Sequence, residues 1–397
     1  MQPNLKEIQY LTGNEVLLKN LVITPVHQMF AERTIDFLGA LSRELLADKN
    51  VKNYVDVLSY AFWIRKKAIE KVRDTYQNIE CRIGRGVAFH IAPSNVPVNF
   101  AVSFTSALLA GNACIVRISN KEFEQVDIIV KALKKLFESS YKDMEQYLCL
   151  IRYNHDDDIT QFLSSICDVR IIWGGNKTIE IVRRAKLPPR AIEMAFADRY
   201  SLAVINADKY LQMDSEKVAK KFFTDTYYTD QNACSSPRLV IWTGKNITQA
   251  KERFWNELQN LVRSEYELHP INVIDKLVMF CKAASENPNI RVIRKDNYIV
   301  RIKLAELNAG IMEYKEGGGY FFEYETEDLS EIAQILQKKC QTISYLGIDE
   351  LKLKEIVYQT GPRGVDRIVP MGQTMELSFR WDGYDMIETM SRLIDVK

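Results

Sequence analysis

The chain has 397 residues, a length typical of two or three domains with large cores. Its 53 basic and 52 acidic residues give a net charge of +1, which argues against nucleic-acid binding through a broad positive field and against a polybasic membrane surface. Hydrophobic residues at 47% and charged residues at 26% are ordinary for a folded globular protein and exclude wholesale disorder.

The amino-terminal residues, MQPNLKEIQY, contain no basic segment followed by an apolar run. The sequence therefore predicts no secretory signal peptide and a cytoplasmic location. The seven cysteines are scattered and include no C-x-x-C pair, which gives no support to a zinc ribbon or a thioredoxin-type motif. A disulfide framework is not expected in so long a chain.

Helices are predicted first, because residues 33–45 and 54–72 repeat apolar positions at helical spacing. The pattern then changes to short apolar runs separated by helix-length segments. The predicted strands of this part are 86–92, 113–118, 147–153, 169–173 and 202–206, with an amphipathic helix over 126–137. This alternation predicts a parallel sheet that is covered by helices on both faces.

One stretch within this region, residues 86–116, contains no Asp, Glu, Lys or Arg. It is interrupted by Pro93, Pro97 and the Gly111-Asn112 turn, whereas a membrane-spanning helix needs about 20 predominantly apolar residues. We interpret it as a buried strand, loop, helix, turn and strand, and we predict no membrane span.

Ligands of such open sheets bind at the carboxyl ends of the strands, where right-handed crossovers place successive loops on one edge. The candidate loops are 92–97, 117–122 and 173–177. A second unit begins near residue 206 and contains a polar loop over 229–238 that leads into a strand. Near the end of the chain, residues 375–381 also have a strand-like pattern.

These patterns predict an α/β protein with two parallel-sheet domains. The predicted divisions are 1–205, which includes the amino-terminal helices, 206–372, and 373–397, a closing strand segment.

Cys234 differs from most of the other cysteines because it lies among small and polar residues, in NACSS, just before a strand. Small neighbours leave a thiol reachable. A thiol with the ordinary pKa near 8.5 needs a site that favours the thiolate before it can act as a nucleophile at neutral pH. A loop cysteine without a catalytic role is the other interpretation.

Asn95 lies in a Pro-Ser-Asn-Val-Pro turn between a predicted strand and a predicted helix. The two prolines restrain the turn and thereby hold the amide in place. Such an amide can donate a hydrogen bond to a developing oxyanion, an interaction that contributes roughly 2.7–4 kcal/mol to a transition state. A turn or helix-cap asparagine is the alternative.

Gly174 and Gly175 follow a predicted strand and precede a helical segment, so a dinucleotide phosphate could approach the backbone there. No G-x-G-x-x-G fingerprint occurs, and an ordinary strand-to-helix turn explains the pair equally well. Arg117 ends another strand of the same set. Its guanidinium could bind a nucleotide phosphate in a bidentate manner, or simply be solvated.

Metal binding is not expected. His155 and the acidic residues 156–158 are interpreted as a helix start, since carboxylates favour the positive end of a helix. His90 is interpreted as a core histidine, and the glycines 317–319 as a tight turn into a strand.

Taken together, these motifs resemble the aldehyde dehydrogenase superfamily. HIAPSNVPVNFAVSFTSALLAGNACIVRISNKE (90–122) is similar to its PWNFP…LAAGNTVVLKPSE run, and DQNACSSPR (230–238) resembles its NQGQxCxAxxR loop. WGGN (173–176) stands where that superfamily has FTGS. Within the superfamily the chain looks most like the LuxC-type acyl-CoA reductases, through CQTISYLGI (340–348), GVDRIVPMG (364–372) and SFRWDG (378–383).

The resemblance implies an aldehyde dehydrogenase-like fold and a reductase that uses a cysteine thioester. In that fold, 1–205 holds the cofactor-binding domain, 206–372 the catalytic domain, and 373–397 a bridging segment that supports oligomers. Cys234 takes the nucleophile role, and Asn95 with the backbone amide of Cys234 takes the oxyanion-binding role. The implied reaction converts a fatty acyl-CoA, or an acyl-protein thioester delivered by an acyl-activating partner enzyme, into a fatty aldehyde. The resemblance also implies a homo-oligomer.

For the cofactor, the resemblance implies a reduced nicotinamide dinucleotide, with Gly174 and Gly175 at its phosphate turn. Arg117 stands where the superfamily has the lysine that binds the adenosine ribose or its 2′-phosphate. Because an arginine suits a phosphate, NADPH is the expected cofactor.

The chain departs from the superfamily where the hydrolytic glutamate is expected, because the segment reads IEMAFADRYS (192–201). Glu193 aligns with that glutamate only if extra residues are allowed. A missing base would slow hydrolysis of an acyl-enzyme and favour reduction. Glu323, in FFEYE, stands near the superfamily's nicotinamide-ribose glutamate. An oxidative aldehyde dehydrogenase, a non-redox cysteine acyltransferase or thioesterase, and a scaffold without cofactor remain alternatives.

Overall fold

The computed structural model describes residues 4–294 and 296–397, and the chain divides into two units. The first unit comprises Met1–Ala197 together with Leu377–Lys397, and the second comprises Asp198–Glu376. The division lies before the predicted boundary at residue 205, because strand Tyr200–Asn206 belongs to the sheet of the second unit.

The first unit contains a sheet whose inner strands are almost entirely buried, as expected for a parallel sheet covered on both faces. From edge to edge its strands are Gln9–Thr12, Leu148–Arg152, Ala113–Arg117, Val87–Ile91, Val169–Trp173 and Ile192–Phe196. The first pair is antiparallel and the others are parallel. The α-helices of this unit are Glu15–Asn20, Glu32–Ala47, Val55–Trp63, Lys66–Arg73, Asn99–Leu109, Glu124–Phe137, Asp157–Ser165, Asn176–Val182 and Met386–Met390.

Three neighbouring strands of this sheet end at the same edge. Ile91 is in register with Arg117 on one side and with Ile172 on the other. The loops that follow these strands, which are the three candidate loops of the sequence, therefore share the carboxyl edge of the sheet. This part of the sequence-based interpretation is confirmed.

The second unit contains a separate sheet. From edge to edge its strands are Arg291–Arg294, Val300–Lys303, Tyr320–Glu325, Pro237–Thr243, Tyr200–Asn206, Cys340–Leu346 and Arg367–Pro370. The first pair is antiparallel and the rest are parallel. The α-helices of this unit are Ala207–Tyr210, Ser215–Asp225, Ile247–Glu265, Pro270–Glu286 and Glu350–Thr360.

Two details differ from the predicted elements. Residues 54–72 form two helices instead of one, because Arg65 between them adopts an extended ψ of 139°. The strand predicted over 375–381 is wrong except for Arg380–Trp381. Phe379 is buried and stacks on Trp63 with ring centroids 4.2 Å apart, so side-chain packing holds this segment where a longer ladder was expected.

The tail returns to the first unit. Strand Ser391–Leu393 pairs with strand Arg82–Gly84, and Asn112 Nδ2 donates to the Met390 carbonyl at 3.0 Å. Within residues 4–294 and 296–397, no helix combines the length and the apolar character that crossing a bilayer requires.

Candidate active-site residues

Cys234 lies in the loop between the short 3-10 helix Tyr227–Thr229 and strand Pro237–Thr243, and it is half-buried. Its backbone is fixed from a neighbouring strand, because the Ser201 hydroxyl donates to the Cys234 carbonyl at 2.7 Å. The same hydroxyl accepts from the Thr342 amide at 3.2 Å. Ser201 thus ties the cysteine loop to two strands of the sheet.

The loop has a second anchor in Gln231, which is completely buried. Its side-chain amide donates to the carbonyls of Pro237 and Tyr320 at 3.0 and 3.1 Å. Its side-chain oxygen accepts from the amides of Gly319 and Tyr320, both at 3.0 Å. All four hydrogen-bonding positions of this amide are used inside the protein, which makes the loop hard to displace.

The glycine turn at 317–319 packs directly against this loop. The Gly318 amide donates to the Asp230 carbonyl at 2.9 Å, and a Cβ at Gly317 would lie 2.6 Å from that carbonyl oxygen. Gly319 has a φ of +91°, and its Cβ would lie 2.0 Å from the Tyr298 carbonyl oxygen. Only glycine allows this approach, and the predicted turn into a strand is confirmed, since a strand begins at Tyr320.

Arg238 is a buried cation near the cysteine, and its guanidinium donates to the Glu316 carbonyl. Burial lowers the pKa of Arg238, while the negative charges of the Cys234 thiolate, Glu316 and Asp198 oppose that shift. Arg238 thus places a buried positive charge within electrostatic reach of the Cys234 sulfur.

Four other cysteines are unsuited to nucleophilic chemistry. Burial raises the pKa of Cys149, Cys167 and Cys340 to about 12, and it also raises the pKa of Cys114. These thiols remain protonated at neutral pH. Cys234 differs from them in being half-buried and in lying on a polar loop.

Asn95 lies in the first unit, in the loop between strand Val87–Ile91 and helix Asn99–Leu109, and it is exposed. Among the described residues no hydrogen bond involves its side chain. The amide of Asn95 is therefore available to a ligand, although the protein does not hold it with bonds of the kind that fix Gln231.

Arg117 ends its strand at the carboxyl edge of the first sheet and is half-buried. Its guanidinium carbon lies 4.7 Å from the centre of the Tyr153 ring, and Nη2 donates to the Tyr153 carbonyl at 3.4 Å. Its Nε is buried without a hydrogen-bond partner in the described part of the chain. The contact with Tyr153 holds a cation at the edge where a ligand is expected.

The pair Gly174 and Gly175 follows strand Val169–Trp173 at the same edge. A Cβ at Gly174 would lie 3.1 Å from the Thr178 side chain, whereas one at Gly175 would meet no atom of the described residues within 4 Å. The open space beside Gly175, together with the cation of Arg117, fits a ligand that carries phosphates.

Glu193 has a different setting from that of a solvent-accessible base. Its carboxylate accepts from Arg170 Nε at 2.9 Å and from Arg183 Nε at 2.7 Å. The Arg170 side chain is only 3% exposed, so Glu193 neutralises a buried charge. Each carboxylate oxygen is bound to a guanidinium, which leaves Glu193 poorly placed to activate water.

Glu323 is completely buried in its strand. One carboxylate oxygen accepts from the indoles of Trp242 and Trp255 at 3.1 and 2.7 Å, and Lys251 and Arg301 lie 3.5 and 3.4 Å from the carboxylate. The other carboxylate oxygen is buried without a hydrogen-bond partner among the described residues. Burial by the two indoles and the two cations shields the carboxylate from a ligand such as a ribose.

The described residues contain no group of His, Cys, Asp and Glu that could hold a metal ion. Asp156 instead caps the helix Asp157–Ser165 by accepting from the Ile159 amide at 2.8 Å, which confirms the interpretation of residues 156–158 as a helix start.

Sequence reasoning missed Ser201, Gln231 and Arg238 as supports of the cysteine loop. The last two lie within the motif DQNACSSPR, so their proximity to Cys234 was a usable signal. Ser201 gave no such signal.

The fold is that of the aldehyde dehydrogenases. The chain is similar to an aldehyde dehydrogenase from Brucella melitensis biovar abortus 2308, with a TM-score of 0.65, 13% identity, and coverage of 96% of this chain and 90% of that one. It is also similar to an indole-3-acetaldehyde dehydrogenase solved with NAD+, with a TM-score of 0.63, 13% identity, and coverage of 91% and 82%.

The chain belongs to the LuxC family of acyl-CoA reductases, whose family model matches residues 12–277. It is 26% identical over 319 residues to the long-chain acyl-protein thioester reductase of Aliivibrio fischeri, covering 78% of this chain. The match spans 63% of the length of that relative.

Proposed function

We propose that the protein reduces a fatty acyl thioester to a fatty aldehyde, with a reduced nicotinamide dinucleotide as cofactor and an acyl-Cys234 intermediate. The observation that carries this proposal is the setting of Cys234: a half-buried cysteine on a loop fixed by Ser201 and Gln231, close to the buried cation of Arg238. Membership of the acyl-CoA reductase family supports it.

In the first half of the proposed reaction, the Cys234 thiolate attacks the carbonyl carbon of the acyl thioester. The bond from that carbon to the donor sulfur breaks, and the donor leaves as a thiolate that takes a proton from water. Arg238 favours the thiolate before the attack. The acyl group then remains on Cys234 as a thioester, an electrophilic intermediate that divides one difficult step into two.

A bound reduced nicotinamide would supply the hydride for the second half. The carbonyl carbon of the acyl-Cys234 group becomes tetrahedral, and its oxygen carries the negative charge. We assign the Asn95 side-chain amide and the Cys234 backbone amide to this oxyanion. Collapse of the tetrahedral centre breaks its bond to the Cys234 sulfur, releases the aldehyde and restores the thiolate.

We assign the dinucleotide to the carboxyl edge of the first sheet, with Gly174 and Gly175 beside its phosphates and Arg117 on the adenosine side. The open space at Gly175 and the unpartnered Nε of Arg117 support this assignment. An arginine in this position favours the 2′-phosphate of NADPH over the free ribose of NADH.

The acyl donor is proposed to be a fatty acyl-CoA or an acyl-protein thioester. The name of the Aliivibrio fischeri relative supports a long-chain acyl group on a protein. An acyl-activating enzyme as partner, a homo-oligomeric state and a cytoplasmic location belong to the same proposal.

The proposal is tested by mixing the purified protein with palmitoyl-CoA and NADPH, following nicotinamide absorbance, and detecting the aldehyde. Cys234→Ser is expected to abolish turnover, whereas Cys281→Ser, which alters an exposed cysteine, serves as the matched control. Mass spectrometry without NADPH should find one acyl group on wild type and none on Cys234→Ser. Equal rates for wild type and Cys234→Ser would contradict the proposal, and a series from acetyl-CoA to palmitoyl-CoA would define chain-length preference.

Oxidative aldehyde dehydrogenase activity is the second candidate, and the ion pairs of Glu193 argue against it, because that reaction needs a base to activate water. Oxidation of an aldehyde with release of free acid would favour it. Acyl release without consumption of NADPH would instead favour a thioesterase or an acyltransferase, and the absence of both acylation and nucleotide binding would favour a scaffold.

A further inference from the structure

Three buried side chains of the first unit form a hydrogen-bonded chain near the carboxyl edge of its sheet, where the candidate ligand loops lie. Trp173 Nε1 lies 3.0 Å from Ser103 Oγ, and Ser103 Oγ lies 2.7 Å from His90 Nδ1. The exposures of Trp173, Ser103 and His90 are 8%, 2% and 0%. We call this set the Trp173–Ser103–His90 relay.

The direction of the relay follows from its chemistry. An indole N–H can only donate, so Ser103 Oγ accepts from Trp173, and its O–H donates to His90 Nδ1 when the neutral imidazole carries its proton on Nε2. Burial lowers the pKa of His90 to about 3, which keeps the imidazole neutral and able to accept at neutral pH. The relay therefore does not change its charge between pH 5 and pH 9.

Each member belongs to an element that borders a candidate loop. His90 lies on the strand before the Asn95 loop, and Ser103 lies on the helix after it. Trp173 is the last residue of its strand and immediately precedes Gly174. The relay thus fixes the residue at the start of the glycine turn to both flanks of the Asn95 loop.

The indole ring is held on its other side as well. Trp173 stacks on Phe196 with ring centroids 3.7 Å apart and an interplanar angle of 5°, and the Gly174 amide donates to the Phe196 carbonyl at 3.2 Å. The stack alone restrains the plane of the indole, whereas the bond to Ser103 also restrains rotation within that plane. Removing the hydroxyl of Ser103 frees this rotation beside Gly174.

We propose that Ser103 is a positioning residue for the nucleotide site: through Trp173 it holds the Gly174–Gly175 turn in the conformation that accepts a dinucleotide. This inference rests on the proposed function. The inference goes beyond that function because it gives a role to Ser103, a residue that is not assigned to contact the acyl group or the reacting sulfur. Its effect therefore falls on nucleotide binding and not on acylation of Cys234.

The experiment compares Ser103→Ala, Trp173→Phe and the double variant with wild type. Ser106→Ala is the matched control, because Ser106 is also buried on the same helix and its hydroxyl bonds only to the Val102 carbonyl of that helix, at 3.0 Å. The dissociation constant of NADPH is measured by fluorescence titration, the Tm without ligand by calorimetry, and acylation of Cys234 without nucleotide by mass spectrometry.

Ser103→Ala and Trp173→Phe are each expected to raise the NADPH dissociation constant about tenfold, the order expected from loss of one hydrogen bond with misplacement of the turn. The double variant should lose no more than either single variant, since all three lack the same bond. Ser106→Ala should stay within about twofold of wild type, and acylation of Cys234 should be unchanged in every variant.

An unchanged NADPH dissociation constant in Ser103→Ala and Trp173→Phe, even with a lowered Tm, would mean that the relay only stabilises the fold, and it would overturn the inference. If wild type binds NADPH but reduces no acyl thioester, the proposed function fails while the binding data still decide this inference. If wild type binds no nicotinamide dinucleotide, both are wrong.

Discussion

The Cys234 loop of the second unit is organised in the opposite way to the carboxyl edge of the first sheet, where the candidate ligand loops lie. We call this edge the ligand edge. Around Cys234, Ser201 and Gln231 fix the backbone with buried hydrogen bonds, and the glycine turn leaves no room for a side chain. At the ligand edge, Asn95 is exposed and Gly175 has open space beside it. This difference suits the proposed function, in which Cys234 gains from being held before substrate arrives and the proposed dinucleotide site stays open to admit and release its ligand.

The sharpest test of this contrast compares one glycine from each region. Gly319→Ala is expected to lower the free energy of unfolding by roughly 4 kcal/mol or to prevent folding, because its Cβ would lie 2.0 Å from a backbone oxygen at a positive φ. Gly175→Ala should leave stability within about 0.5 kcal/mol and weaken NADPH binding. Urea unfolding and fluorescence titration measure the two effects, and equal stability losses would remove the contrast.

A second test concerns Lys276, whose ammonium donates to the carbonyls of Gly318 and Asn297 at 2.6 and 2.5 Å. Burial lowers its pKa from the usual 10.5 to about 8, with Asp296 and Glu316 opposing the shift. Because the folded protein disfavours the charged form, stability should be greatest above the unfolded pKa and should fall as the pH drops from about 10.5 to about 8, by up to about 3 kcal/mol.

Lys276→Met should lose this component of the pH dependence, which denaturant unfolding at several pH values would measure. The exposed Lys282 on the same helix provides a matched control, Lys282→Met, whose pH profile should follow wild type. If stability depends on pH in the same way in wild type and Lys276→Met, protonation of this lysine does not destabilise the glycine turn.

The substitution Asn95→Ala tests the loop of the first unit. No hydrogen bond to a described residue is lost, so Tm should stay within a degree or two, while hydride transfer to the acyl group should slow by roughly 10²-fold. Single-turnover kinetics and calorimetry on the same samples check both parts. A large fall in Tm would mean that this loop is held as firmly as the cysteine loop.

The smallest expected effect is at Arg117. Arg117→Ala should reduce the preference for NADPH over NADH by about tenfold, because the guanidinium no longer meets the 2′-phosphate, with little change in kcat for NADH. Arg43→Ala, which alters an exposed arginine on helix Glu32–Ala47, is the control variant. An unaltered ratio of the two kcat/KM values in Arg117→Ala would remove Arg117 from the cofactor site.

The sequence predicted the strands of the first sheet from residue 86 to residue 173, the edge that their loops share and the Cys234 loop, because apolar runs and small polar interruptions are local signals. It did not reveal Ser201, whose hydroxyl reaches a partner 141 residues away in the chain, at Thr342. It also allowed a ribose-binding role for Glu323, since nothing near that residue in the sequence reports the two indoles that enclose it. Contacts between residues that are distant in the sequence and meet only in the folded protein cannot be predicted from local sequence patterns.

The return of the tail to the first unit has a consequence for biosynthesis. Strand Arg82–Gly84 is made early, but its partner Ser391–Leu393 leaves the ribosome only after the whole of Asp198–Glu376 has been synthesised. The unit that begins first is therefore completed last, while the intervening unit has its entire sequence available sooner. Until residues 391–393 have left the ribosome, strand Arg82–Gly84 therefore lacks the strand with which it pairs in the folded protein.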